Sequence, residues 1–244
     1  MIDPEVDAEV DRALAMAQGG RLGEAERIIS RLLACHPDLH MVQFGMGVIR
    51  NFQGRDAEAL AYFDRATTIF PYFAEAWFNK GAVHQQRLEM GPMIRAFQKV
   101  IEVGDPSDDF VEEASRVIRS LDEQIRGEKG FSLDRYVQIM DIFDEAFAAM
   151  ENREWERALA GFQKVVAADP GSTQSHGNMG LCYALLGRKR EALAALDRAL
   201  QLDPSYELAR TNRVGVLSMR EGESLAADFT SVNYYSERYK AEHR

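Results

Sequence analysis

The sequence predicts an all-α chain that repeats one pair of antiparallel helices, and three observations predict it. Prolines act as a ruler: the step from Pro37 to Pro71 equals the step from Pro170 to Pro204. One pattern returns between them. Trp77, Lys80, Gly81 and His84 precede Met93, Phe97 and Val100, while His176, Met179, Gly180 and Tyr183 precede Ala192, Leu196 and Ala199. Each copy has a bulky residue, a glycine four further on, a ring three beyond that, and then an Ala-x-x-x-Phe spacing. Finally, the apolar residues recur at intervals of three and four, the period of a helix face, and no strand is evident.

A period of about 34 residues carrying this pattern resembles the tetratricopeptide (TPR) repeat family. The resemblance implies a right-handed superhelical solenoid of antiparallel helix pairs, whose first helices line a concave groove and whose repeats share one core.

Taken in order, the first helix is expected from Pro4 to Gln18, stopped by Gly19-Gly20. Asp3, Glu5, Asp7, Glu9 and Asp11 crowd its start, where the positive end of the helix dipole favours carboxylates. Leu22 to Cys35 forms the next, with Ala25, Ile29, Leu32 and Leu33 facing inward, and Pro37 closes this degenerate first repeat. The second unit runs from His40 to Pro71. Gly47 lets its helices approach, Ala59, Phe63 and Ala66 continue the pattern, and Asp56 is the expected N-cap after the Gly54-Arg55 turn. The third unit, Ala74 to Asp105, has its turn marked by Gly91-Pro92, with proline tolerated in a first helical turn. The step from Pro106 to Pro170 then falls slightly short of two full periods. One amphipathic helix, about Asp108 to Arg126, fills the space as a cap, and Gly127-Glu128-Lys129-Gly130 breaks it. Helices from Ser132 to Glu151 and Trp155 to Ala168 resume the repeats, with Ala146 where a glycine is usual. The unit from Thr173 to Pro204 follows the pattern best. Tyr206 to Met219 reads as a second cap. Glu223 to Arg244 reads as helical, with Phe229, Val232, Tyr235 and Tyr239 on one side.

The organisation expected is therefore a lobe over 1–126 with about three repeats and a capping helix, and a hinge at 127–131. A second lobe of two repeats and a cap follows over 132–219, then a tail over 220–244.

Composition narrows the function. A net charge of −10, shared as −7 over residues 1–130 and −3 over 131–244, argues against nucleic acid, which needs a basic face to displace counterions. No apolar run approaches the roughly 18 residues of a membrane span, and the acidic opening MIDPEVDAEVD lacks the apolar core of a secretory signal. A cytoplasmic location is expected. Cys35 and Cys182 form no CxxC and read as small buried thiols. His36 and His40 have the spacing of a metal pair, but Pro37 between them keeps them off one helix face. No metal or other cofactor is expected. Nor does any Gly-rich loop, activated nucleophile or isolated carboxylate pair point to an enzyme.

Carried over from the family, the groove-lining positions are Val10 and Leu14; Phe44, Val48 and Phe52; Phe78, Asn79 and Gln86; Phe143, Phe147 and Met150; Asn178 and Leu181. His84 and His176 stand where the family has aromatic or Trp positions, which favours packing or groove lining. A TPR subclass grips chaperone C-terminal carboxylates with Lys and Asn. Val10 and Leu14, or Phe143 and Phe147, occupy the first two of those positions here, and Asn79, Asn178 and Asn212 match one element only. The expected partner is thus a protein or peptide, apolar or amphipathic, held by a non-enzymatic scaffold or adaptor. Two alternatives stay open: a self-assembling protein whose aromatic C-terminal helix fills the groove in cis or in a homo-oligomer, and a sensor with a ligand between the lobes.

Overall fold

The structure, a computed structural model, describes residues 4–225. These residues are all-α, with twelve helices and no strand among them. The chain divides into two compact units, residues 1–124 and 125–244.

In the first unit, helices α1 (Pro4–Gln18) and α2 (Leu22–Cys35), α3 (His40–Phe52) and α4 (Asp56–Ile69), and α5 (Ala74–Gln86) and α6 (Met90–Val103) form three pairs. Helix α7 (Asp109–Lys129) follows. The second unit holds α8 (Leu133–Glu151) with α9 (Trp155–Ala168), α10 (Thr173–Leu185) with α11 (Lys189–Leu202), and the lone α12 (Glu207–Ser218). From α1 to α6, and again from α8 to α12, each helix packs on its neighbours in sequence. First helices also touch the first helix of the next pair: α1 with α3, α3 with α5, α10 with α12. Successive second helices make no comparable contact, so each stack closes toward its first-helix side.

The pairs are close because glycine removes a side chain where a ring must sit. A Cβ on Gly47 would lie 2.6 Å from Phe63, and one on Gly81 2.5 Å from Phe97; both rings are fully buried. Gly180 stands in the same relation to Leu196, at 2.5 Å. In α8 and α9 the roles are exchanged. Ala146 keeps its methyl, and Gly161 opposite it gives way, since a Cβ there would lie 2.5 Å from the Ala146 Cβ.

Two backbone devices repeat with the ruler. Every turn inside a pair carries one left-handed residue: Gly20, Gly54 and Leu88 in the first unit, Arg153 and Gly187 in the second, with φ between 59° and 79°. Within each unit they recur at the same step as the prolines. Leu88 and Arg153 have a Cβ in a conformation that L-residues avoid. The second device closes four of the five repeats. The side chain six residues after the proline donates to the proline carbonyl, which has no helical partner: Gln43 to Pro37 at 2.5 Å, Trp77 Nε1 to Pro71 at 2.9 Å, His176 Nε2 to Pro170 at 3.2 Å, Arg210 to Pro204 at 2.7 Å. A carbonyl only accepts, so Nε2 of His176 carries the proton.

The structure corrects several expectations. Asp56 is not an N-cap: it is the first residue of α4, Arg55 precedes it, and no side chain caps the helix. The third turn lies at Leu88, and Gly91-Pro92 falls inside the first turn of α6. Gly127 lies within α7, which ends only at Gly130 with φ 77°. A glycine inside a helix costs about 1 kcal/mol, too little to stop one by itself. Cys35, at the last turn of α2, is exposed, whereas Cys182 is buried. Glu223–Leu225 are not helical, and the rest of the expected tail helix lies outside the described residues.

The strained turn gives a direct test. Arg153→Gly should raise stability by about 0.5–1 kcal/mol, as the left-handed penalty outweighs the added chain entropy, seen as a Tm increase of a few degrees. The proline device gives a second. Burial holds the His176 imidazole below its usual pKa, the Pro170 carbonyl only partly offsetting this. Stability from the neutral ring is therefore complete above the unfolded pKa of about 6.5 and is lost as pH falls through the lower folded value. His176→Gln keeps a donor for Pro170, as Gln43 does for Pro37. Its Tm relative to the parent should rise as pH drops from about 7.5 to 5.5, read by thermal melts across that range.

Candidate interaction face

The ruler identifies the side chains that share the first-helix side. Steps of one repeat link Asp7, Met41 and Glu75, and also Asp11, Gly45 and Asn79. The electrostatics agree with that placement. Glu75, on α5, has its carboxyl raised above the usual range, first by burial and then by the Asp11 and Asp108 carboxylates. Solvent still reaches Glu75. Asp7 has a buried carboxylate oxygen with no hydrogen-bond partner and acts on His40, whose ring burial holds below its usual pKa. Among the described residues, none of Asp7, Asp11 and Glu75 forms an ion pair.

Of the positions expected to line a groove in the first unit, Val10 and Phe44 are core instead. Val10 is fully buried with Ala13 and Ile29, and Phe44 packs its ring against Phe63 and Phe73 at 5.8 and 5.0 Å. The absence of a Cβ on Gly45 lets α3 settle against Ile29 and Val10, which takes Val10 out of reach. Leu14 and Val48 are half-buried. Phe52 is 51% exposed. Phe78 is half-buried, with its ring 5.6 Å from Phe97 and 5.8 Å from Phe110 of α7. Asn79 bonds the Glu75 carbonyl at 2.9 Å, and Gln86 is exposed. Phenylalanine, leucine and valine thus lie beside unpaired carboxylates. Reasoning from apolar residues missed the acids, although two repeat steps from Asp7 reach Glu75.

In the second unit Phe143 and Met150 are likewise core, because Phe143 meets Phe162 edge-on at 5.5 Å and stacks with Phe147 at 6.0 Å. Phe147 and Leu181 are half-buried. Asn178 is buried, and so is Gln174 one turn before it. The amide nitrogens of both lack a hydrogen-bond partner.

Other chemistry is structural. Burial pushes the Cys182 thiol up to about 12, which leaves almost no reactive thiolate. His84 is buried with Nδ1 2.7 Å from the Glu89 carboxylate, which accounts for it as a packed side chain. Among the described residues no three His, Cys, Asp or Glu side chains are grouped to hold a metal, and no helix is long and apolar enough to cross a membrane.

Family models described as tetratricopeptide repeat match residues 10–74 and 173–206. No curated relative matches. Among solved structures, the TPR domain of P58(IPK) is 16% identical with a TM-score of 0.45, over 87% of this chain and 55% of that one. YrrB, described as a TPR protein with an unusual peptide-binding site, is 21% identical with a TM-score of 0.36, over 76% of this chain and 97% of its own. The TPR2AB domain of yeast Sti1, in complex with pHSP90, is 14% identical with a TM-score of 0.42, over 87% and 83%. With its regular proline ruler, its helix pairs closed by glycine and both family matches, the chain carries tetratricopeptide repeats over residues 10–74 and 173–206.

Proposed function

We propose that this protein is a non-enzymatic interaction scaffold, and that the first-helix side of its first unit holds an amphipathic partner segment bearing a cationic side chain. One observation carries the reading. Exposed Phe52 and half-buried Leu14, Val48 and Phe78 share a face with Asp7, Asp11 and Glu75, carboxylates that no described cation neutralises. Apolar side chains on one stripe of a helix or peptide would cover the rings. A lysine or arginine placed beside that stripe would offset the burial that raises Glu75 and the lesser repulsion from Asp11 and Asp108. Such a contact fixes orientation and specificity more than bulk affinity.

Short peptides selected from a random library on the full-length protein test this. The winners should combine Leu, Phe or Met with Lys or Arg at helical spacing. Glu75→Gln with Asp11→Asn should weaken them about ten-fold, the ~1.4 kcal/mol of a lost charge-assisted contact, and added salt should do the same. Winners without basic residues, or with affinities indifferent to both changes, contradict the reading.

A further inference from the structure

Between α5 and α6 lies a cavity of about 360 Å³. Trp77, Lys80 and His84, three and four apart on α5, line it with Pro92, Arg95 and Lys99 of α6. Trp77 is about 200° from both Glu75 and Asn79 around the helix, so the cavity lies on a different side of α5 from them. Among the described residues its lining carries three cations and no carboxylate. The indole is fixed by its bond to the Pro71 carbonyl, and the Lys80 ammonium sits 4.9 Å from the centre of that ring. Lys80 reaches Asp64 of α4 at 2.6 Å and Lys99 reaches Glu102 at 2.8 Å, but those carboxylates are 57% and 65% exposed. Pairs so open to water contribute little, and a more highly charged anion displaces them. The His84 Nδ1 is engaged by Glu89, so this ring forms wall.

The same place in other pairs shows what is unusual. Counted from the glycine that closes each pair, Lys80 and Arg95 stand where α3 and α4 have Met46 and Ala61, and where α10 and α11 have Met179 and Ala194. Pro92 stands where those pairs have Glu58 and Glu191. Glu58 bonds Arg55 of its own turn at 2.5 Å and reaches across to Arg50 of α3, which holds the place of His84, at 3.3 Å. Glu191 bonds Arg188 at 2.9 Å. The third pair has therefore lost a carboxylate and gained two cations at one spot. We propose that the cavity between α5 and α6 binds a phosphate monoester, whose dianionic head group Lys80, Arg95 and Lys99 hold in the place that a glutamate fills elsewhere. A phosphate answers several cations at once, and the guanidinium fork matches its oxygens. The volume is at the lower end of the roughly 300–1,000 Å³ of small-ligand pockets, which suits one phosphorylated side chain or a small phosphate ester. The site is separate from the face that holds the amphipathic segment and does not depend on it.

The chain has two tryptophans, so Trp77 and Trp155 give separate indole N–H signals in the nitrogen-15-labelled full-length protein. Glycerol 3-phosphate, a short phosphoserine peptide and the same peptide with plain serine are the probes. Both phosphate probes should move the Trp77 signal saturably and leave that of Trp155 in place, while the serine peptide moves neither. A phosphoserine peptide that binds about ten-fold more tightly than glycerol 3-phosphate identifies a phosphorylated partner as the source, and equal affinities identify a small ester. Lys80→Met with Arg95→Ala, the residues that the preceding pair has at these places, should weaken both probes at least about ten-fold with the thermal melt unchanged. Lys99→Gln is the second variant, with a smaller loss expected, and it decides the matter if the first does not fold. A Trp77 signal that does not saturate, equal shifts from the serine peptide, or affinities unchanged in the folded variants overturn the proposal.

Discussion

The fold rests on how closely two helices of a pair can approach. Glycine at one position admits a phenylalanine or leucine from the other helix, and interiors packed at crystal density tolerate little error at such a contact. Phe63, Phe97 and Leu196 each fill the gap left by Gly47, Gly81 and Gly180. With the pairs closed this way, their outer flanks are spent on one another. The first-helix sides are left with side chains of mixed character. The acidic and apolar face of the first unit and the unbonded amides of the second are both consequences of that arrangement.

Two further constraints keep the register. A left-handed residue turns the chain between helices, and a side-chain donor satisfies the carbonyl of the proline that closes four of the five repeats. The donors are chemically unrelated: an amide, an indole, an imidazole and a guanidinium. What the position needs is an N–H of the right reach, not a particular residue. That tolerance explains how the repeat persists while its identity drifts.

Much of this is legible in the amino-acid order. Helices α1 and α2 run over the residues expected of them, because Gly19-Gly20 and Pro37 are strong stops. Gly127 is not a stop, since its flanking residues favour helix and one glycine is a weak breaker. Leu88 and Arg153 give no local sign of a left-handed turn; only their offset of one repeat from Gly54 and Gly187 discloses it. The binding face is less legible than the fold. Val10, Phe44, Phe143 and Met150 look like lining by position, yet they are core. Apolarity cannot separate a groove wall from the layer behind it. The acids of α1 read in sequence as an ordinary acidic helix start, and the effect of Asp11 on Glu75 emerges only in the folded chain.

The exchanged contact between α8 and α9 offers the most direct measurement. Gly161→Ala forces two methyl groups into the space of one, which should cost about 1–3 kcal/mol by overpacking. Ala146→Gly costs about 1 kcal/mol as a lone helix glycine. Combined, they restore the glycine arrangement used by the other pairs. Denaturant unfolding of the four proteins in that cycle should therefore show the double variant to be more stable than Gly161→Ala alone, with a coupling of about 1 kcal/mol or more. Losses that simply add would contradict the view that close approach at this one position holds the helix pairs together.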